Sequence, residues 1–500
     1  MRRCFGSGYP VGIFSASRFR ANVDTPTPFA IPAQHPPGEF FRDFAIRAVV
    51  VDAAGPGPRV YRNGTALGLA GAVFGLVLLA SADARGTEHN EGIELRLSDE
   101  LSPPPERPIE GQLAEEPIRR RGSTLRPRLS GLKLETTIGS YFDDNVRRTA
   151  RRTESSMVVR ARPKATVDGR IGRHGFQLGY EGDFGRFVDV SDENYNDHDF
   201  TATGDLSFSR RLRVFLDNGL TFGHDQRGDT TARLIGSATP DRWRRYHIGG
   251  NLVFGRASAS AFQTKGEIGV SYQQSGTHNL NNNQSRRDYH QQSIGLHGRY
   301  NVGPKLSLVA DTGLIFTDYD DPTTPLDARE TDLLVGIAWK ATAKTTGEVK
   351  FGTLRKDFYD PGQDDVSGGN WDAEIQWLPK SFSAVTIYAS RFTEEAGQGG
   401  GSAVTDRAGL RWHHGFTSRL ELNAGLEFSE SEFGTGREDD EIDLNASLSY
   451  QVNRWTNLTG GYYYASRDSD NPLGEFDNNI LFFELNTKLD RRPGQGAERD

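Results

Sequence analysis

The chain is nearly devoid of cysteine. Its single one, Cys4 of 500 residues, does not follow an apolar run, so it is not a lipoprotein attachment site. Without a cysteine pair there is no disulfide, even in an oxidising compartment, and no cysteine-built zinc site. Long apolar runs are also scarce. Hydrophobic residues make up 35% of the chain, too few for a bundle of membrane helices. Methionine is limited to two residues. A basic excess is missing too: 59 Lys and Arg face 67 Asp and Glu, whereas a nucleic-acid partner needs a basic surface. No cofactor is expected.

Glycine is abundant at 57 residues, beside 29 Phe and 16 Tyr. Low hydropathy with many glycines and aromatics suits a β-barrel, whose strands show their apolar residues only at every second position. The one sustained apolar run, "ALGLAGAVFGLVLLA", covers 66–80. Arg59 and Arg62 precede it and Ala82-Asp83-Ala84 follows. A cationic start, a short apolar middle and an A-x-A end form an export signal. At about fifteen residues the run falls short of the twenty or so that a spanning helix needs, and Gly68, Gly71 and Gly75 weaken a core helix. The signal is expected over 60–84, with translation starting at Val60. Residues 1–59 carry no sustained period and much Pro and Gly, and are expected to be an extension without a fold. The stretch 85–130, including "SPPPERPIEGQLAEEPIRRRGSTLRPR", is expected to be a periplasmic linker with no core of its own.

From Leu132 the pattern changes. "MVVRARPKATVDG" puts Val159, Ala161, Ala165 and Val167 on one face and Arg160, Arg162, Lys164 and Thr166 on the other. "SRLELNAGLEFSES" and "DEIDLNASLSYQV" do the same, with Leu422, Leu426, Leu444 and Leu448 opposite Asn423, Glu427, Asp443 and Asn445. "HDFTATGDLSFS" sets Phe200 and Leu206 against Thr201 and Asp205. Period two over four or five pairs is strand. Long polar loops near 143–154, 188–198, 224–241, 275–288, 318–330, 358–369, 394–404, 430–439 and 467–477 alternate with tight links such as "GRASAS" at 255–260, "GPK" at 303–305 and "NRW" at 453–455. Nine loops and eight links predict an antiparallel transmembrane β-barrel of about eighteen strands over 131–489, with a polar tail at 490–500. A propeller also repeats at such lengths, but each blade needs four short strands. A bilayer requires the closure that a barrel provides. Both termini are then periplasmic and the long loops face outward. Aromatics near strand ends (Tyr141 and Phe142, Phe184 and Phe187, Phe316 and Tyr319, Phe358 and Tyr359, Trp371 and Trp377) are expected to form interfacial girdles, and most aromatics to face lipid.

The first strand and loop read "GLKLETTIGSYFDDNVRRT" (131–149), an aromatic strand end running into Asp-Asp-Asn and then Arg-Thr. Further on come Gly185-Arg186-Phe187 and the loop Asn194-Tyr195-Asn196-Asp197. These stretches resemble the opening hairpins of the putative β-barrel porin 2 family, and the resemblance extends over most of 131–489. It implies an outer-membrane protein of exopolysaccharide production or export. It brings no catalytic residues. One departure is that the last strand, "NNILFFELNTKL", ends on Leu489 rather than on an aromatic.

The eleven histidines are scattered; His290 and His297 have no patterned acid near them and His413-His414 falls at a tight turn. Acidic loops such as "SDENYNDHD" and "REDDE" are oxygen-rich, but none has the full calcium-loop pattern. By parity, the lumen is expected to hold Arg160, Arg162, Lys164, Arg299 and Arg411 with Glu181, Asp183, Asp311, Glu374 and Glu427. The mixed signs fit bracing across the lumen better than a ring of one sign selecting ions. The expected partners are outer-membrane lipid and lipopolysaccharide, the barrel-assembly machinery and polysaccharide export components. The reading is a non-enzymatic exopolysaccharide component; the alternatives are a general diffusion porin and, in another class, a barrel hydrolase.

Overall fold

The computed structural model describes residues 128–209, 211–229, 232, 238–255, 266–342, 344–395 and 402–491. The first strands are β1 (Arg128–Asp143), β2 (Ser156–Ile171), β3 (His174–Phe187), β4 (Tyr195–Ser207), β5 (Leu212–His224) and β6 (Arg242–Gly255). The next are β7 (Gly266–Asn279), β8 (Tyr289–Gly303), β9 (Leu306–Tyr319), β10 (Ala328–Thr342), β11 (Thr345–Phe358) and β12 (Val366–Lys380). The last are β13 (Ser383–Glu395), β14 (Ser402–Gly415), β15 (Leu420–Phe433), β16 (Glu438–Asn453), β17 (Thr456–Ser469) and β18 (Phe476–Arg491). All neighbours in chain order pair antiparallel. β1 pairs with both β2 and β18, so the eighteen-stranded sheet closes on itself. Ile138 sits opposite Ala161 on one side and Leu485 on the other.

The period-two pattern is the cause of this shape. On β16 the side chains of Ile442, Leu444, Leu448 and Tyr450 are exposed, whereas Asp439, Glu441 and Ser447 between them are buried. Across the strand pair Leu426 meets Leu444 and Glu427 meets Asp443, so each face stays chemically uniform. An apolar exposed outside with charge buried inside inverts a water-soluble protein. Lipid is the solvent that suits it. Val159, Phe200 and Leu444 are outward and exposed, and Leu422 is outward and half-buried. Close strand contact fixes some glycines: a Cβ on Gly352 would lie 1.5 Å from the Leu333 carbonyl oxygen.

Several expectations need correction. Four of the ten supposed girdle residues point inward. Tyr141 is 1% exposed and stacks on inward Phe482 at 5.8 Å between ring centroids. Phe187, opposite buried Val158, packs against the same inward cluster; Tyr319 and Phe358 also face in, contacting Glu395 and Lys356. Phe142, Tyr359 and Trp377 are exposed. Tyr195, Trp243, Tyr388, Phe392, Phe433, Tyr463 and Phe476 are also buried, but among the described residues more aromatics are exposed than buried, Phe200, Phe254, Tyr272, Tyr300, Phe351, Phe428 and Phe483 among them, in line with the expectation. Parity decides the face, and a strand end offers both parities. The loops are less uniform than expected: β15 and β16 are joined by only 434–437, while the link from β6 to β7 spans 256–265, outside the described residues. β1 begins at Arg128, inside the expected linker, and β18 runs on to Arg491. The expected extension, the signal at 60–84, the rest of the linker and the tail from 492 lie outside the described residues.

Candidate functional site at the barrel mouth

The inward face changes along the barrel axis. Near the short turns its side chains reach solvent: Lys133, Lys164 and Lys488 are 56%, 46% and 55% exposed. Toward the long loops the same face is buried, as at Arg160, Arg162, Glu330, Lys356 and Glu484.

All ten residues expected in the lumen lie on this inward face by strand register, and they fall into three networks. In the first, Arg160 binds Asp183 through Nε at 2.8 Å, and Arg162 binds Glu484 at 2.6 Å. The Tyr141 hydroxyl also donates to Glu484, and lower down Lys164 pairs with Glu181 at 2.6 Å. In the second, Asp311 takes Lys350 at 2.9 Å and is bonded to His297, while Arg299 holds Glu348 at 2.8 Å. Lys350 also reaches Asp372 at 3.0 Å, and Glu374 lies opposite Glu348. In the third, Glu427 pairs with Arg407 at 3.0 Å and accepts from Tyr388, over whose ring Arg411 sits at 4.4 Å. Buried charges persist only when paired, so each network braces the wall. Tyr141, Glu348, Lys350, Asp372, Arg407 and Glu484 were missed from the sequence, although the parity rule that selected the ten also selects them. His297 does have an acid directly opposite, because β8 and β9 pair His297 with Asp311; His290 likewise meets Asp320 at 3.2 Å.

Of the connection 225–241, the described residues 225–229 reach over this face. Its ends meet through Asp225 N–H donating to the Asp241 carbonyl at 2.7 Å, and Arg287 pairs with Asp225 at 2.7 Å. Arg227 binds Glu193 at 2.8 Å, and Glu193 also takes Arg147 at 2.7 Å, tying three loops into one chain. Gly228 then reaches β17, six strands from β5 around the wall, where its carbonyl accepts from Arg467 Nη2. Arg467 is itself paired with Glu441 at 2.8 Å. Gly228 has φ +85°, and a Cβ there would lie 2.8 Å from Arg148 Cγ and 3.2 Å from Phe476 Cε1. Only glycine fits this left-handed close approach without strain. In the outer loops, a hydrogen bond from Arg147 holds the Asp192 carboxyl below its ordinary range, and Thr323 does the same for Asp321. The acidic loops are engaged by arginines and hydroxyls in this way. Among the described residues no cluster of three or more His, Cys, Asp or Glu is placed to hold a metal ion.

Known proteins give two comparisons. Solved structures similar in fold include Pseudomonas aeruginosa OpdL (14% identity, 72% of this chain and 99% of that one, TM-score 0.41). Acinetobacter baumannii OccAB2 is 11% identical over 73% and 98% of the two chains, with TM-score 0.42. P. aeruginosa OpdK, solved with vanillate, is 11% identical over 72% and 99%, with TM-score 0.40. No curated protein matches in sequence. The model of the family described as putative beta-barrel porin 2 matches residues 132–489, the whole of the barrel but its outermost ends, and the chain therefore belongs to the putative β-barrel porin 2 family.

Proposed function

We propose that this outer-membrane barrel is a non-enzymatic component of exopolysaccharide production or export, and that it is not a general diffusion porin. The observation that carries the reading is the contact of the Gly228 carbonyl with Arg467, six strands around the wall from β5, over an inward face that is buried on the loop side. A general sieve for small solutes works by leaving a free aqueous path. An outer mouth spanned by such a contact suits a conduit for one large cargo, or a scaffold for other export components. Two assays on one deletion strain test this. Secreted polysaccharide falls or changes, while uptake of small sugars and antibiotics stays nearly unchanged. Normal polysaccharide with slowed solute entry would instead establish the diffusion-porin reading.

A further inference from the structure

On β6, Ile248, Leu252 and Phe254 are exposed while Trp243 and Arg245 are buried, so the even-numbered positions of this strand face lipid. Arg242 and Arg244 share that parity at the loop end. Strand pairing sets His198, Phe222 and His278 level with Arg244 on the same outward face. Two residues lower along each strand, Tyr180, Phe200, Leu220 and Tyr246 form a mostly aromatic row. Such rings settle at the level of lipid headgroups, and the arginines stand just above them. Arg186, opposite outward Val159, lies on the same face of β3, three strands and roughly 14 Å from β6.

No carboxylate among the described residues pairs with these three guanidinium groups. Arg244 is half-buried and its Nε finds no hydrogen-bond partner there. Arg186 donates to neutral oxygens only: the Gly185 and Tyr195 carbonyls, each at 2.7 Å, and Asn196 Oδ1. Asp288, the nearest acid in the adjoining loop, is taken by His278 at 2.7 Å and by Asn279. By parity, the outward positions of β3 to β8 hold no Asp or Glu among the described residues. Elsewhere on the outward rim the arginines are matched, Arg329 by Asp357 at 2.8 Å and Arg391 by Asp406 at 3.0 Å. Farther round, the outward face is acidic, with Glu430 opposite Asp440 and Glu432 opposite Glu438. An unmatched cation turned toward lipid is costly unless a fixed anion neutralises it. The planar guanidinium fork suits the paired oxygens of a phosphate ester. Directly below, the exposed side chains of β6 are apolar, so one molecule carrying both phosphate and acyl chains matches the whole stripe.

We infer that Arg186, Arg242 and Arg244 form a docking site for a phosphorylated glycolipid of the outer leaflet, its phosphate esters held by the guanidinium groups and its acyl chains lying along Ile248, Leu252 and Phe254. The site is independent of the proposed function and rests on the long loops facing outward. Its test uses the full-length protein in detergent micelles, titrated with lipid A, the phosphorylated anchor of lipopolysaccharide, and with lipid A stripped of its phosphates. Native mass spectrometry reads both the lipid retained and the mass of the assembly, and inorganic phosphate serves as competitor. Saturable binding of lipid A is expected, at least about tenfold tighter than that of the stripped lipid. Arg242→Gln with Arg244→Gln should weaken it at least about tenfold, and Arg186→Gln, made separately, in the same direction. Glu430→Gln with Glu432→Gln, on the acidic side, should leave it unchanged. Heat-modifiable migration on gels checks that each variant folds. Equal binding of the stripped lipid, or native affinity in the arginine variants, overturns the inference. Displacement by an equal concentration of inorganic phosphate would mean a free-anion site and overturns it too. So does an arginine-dependent dimer that forms without lipid A, which would assign the patch to the acidic rim of a second copy.

Discussion

Exchanging one residue at neighbouring positions of β16 separates the two faces of the wall. Leu444 faces outward and is 39% exposed, with Leu426 beside it on β15. Asn445 faces inward and packs over Gly425, where a Cβ would lie 2.8 Å from its Nδ2. An arginine in place of Leu444 must put a guanidinium into hydrocarbon, at about 2–4 kcal/mol near the bilayer midplane. That corresponds to roughly a thirty- to several-hundred-fold loss in the folded-to-unfolded ratio. The same arginine in place of Asn445 enters the polar interior, two positions along the strand from the Asp443 carboxylate. It should cost less than about 1 kcal/mol, since lumen substitutions are tolerated. Reversible urea unfolding in lipid vesicles, followed by tryptophan fluorescence, measures both. Equal losses would mean the register is off by one residue, because such a slip exchanges the faces.

Other expectations follow from the inward networks and the loops. Tyr141→Phe removes a hydroxyl that bonds the buried Glu484 carboxylate while leaving the Arg162 pair. It should lower stability by about 1–3 kcal/mol in the same unfolding assay, and an unchanged midpoint would show that the contact carries no weight. Asp192 has a lowered carboxyl pKa because Arg147 bonds its ionised form. A depressed acid contributes stability above its unfolded pKa of about 3.9 and loses it as pH falls through the folded value. The link to Arg147 should thus be constant from about pH 5 to 8 and fail only below about pH 4. An NMR carboxylate titration of Asp192 with a midpoint at or above the ordinary value would contradict this.

Much of the barrel was legible in the sequence because a membrane strand has only two faces. The alternation of Val159 with Arg160, or of Leu444 with Asn445, fixes which side meets lipid, and repetition of the hairpin fixes the count. Closure of β1 on β18 follows from the need to leave no bare edge in lipid. The mouth was far less legible. Gly228 and Arg467 stand 239 positions apart, and nothing local to either announces their contact. The same holds for Arg162 and Glu484, 322 positions apart, whose pairing depends on the barrel closing. Aromatics misled for a related reason. Tyr141 and Phe142 are adjacent, so one must face in and the other out, and position near a strand end says nothing about which. His297 looked isolated because its acid, Asp311, belongs to the next strand.

Single-channel conductance of the full-length protein in planar bilayers tests the central claim most directly, in comparison with Gly228→Ala. The variant leaves every wall residue in place, but its Cβ meets Arg148 and Phe476 at a backbone angle that L-residues rarely adopt. The account predicts low, mostly closed conductance for the native chain and a several-fold rise for the variant. A native barrel that conducts freely, with Gly228→Ala indistinguishable from it, would contradict a mouth spanned by the Gly228–Arg467 contact.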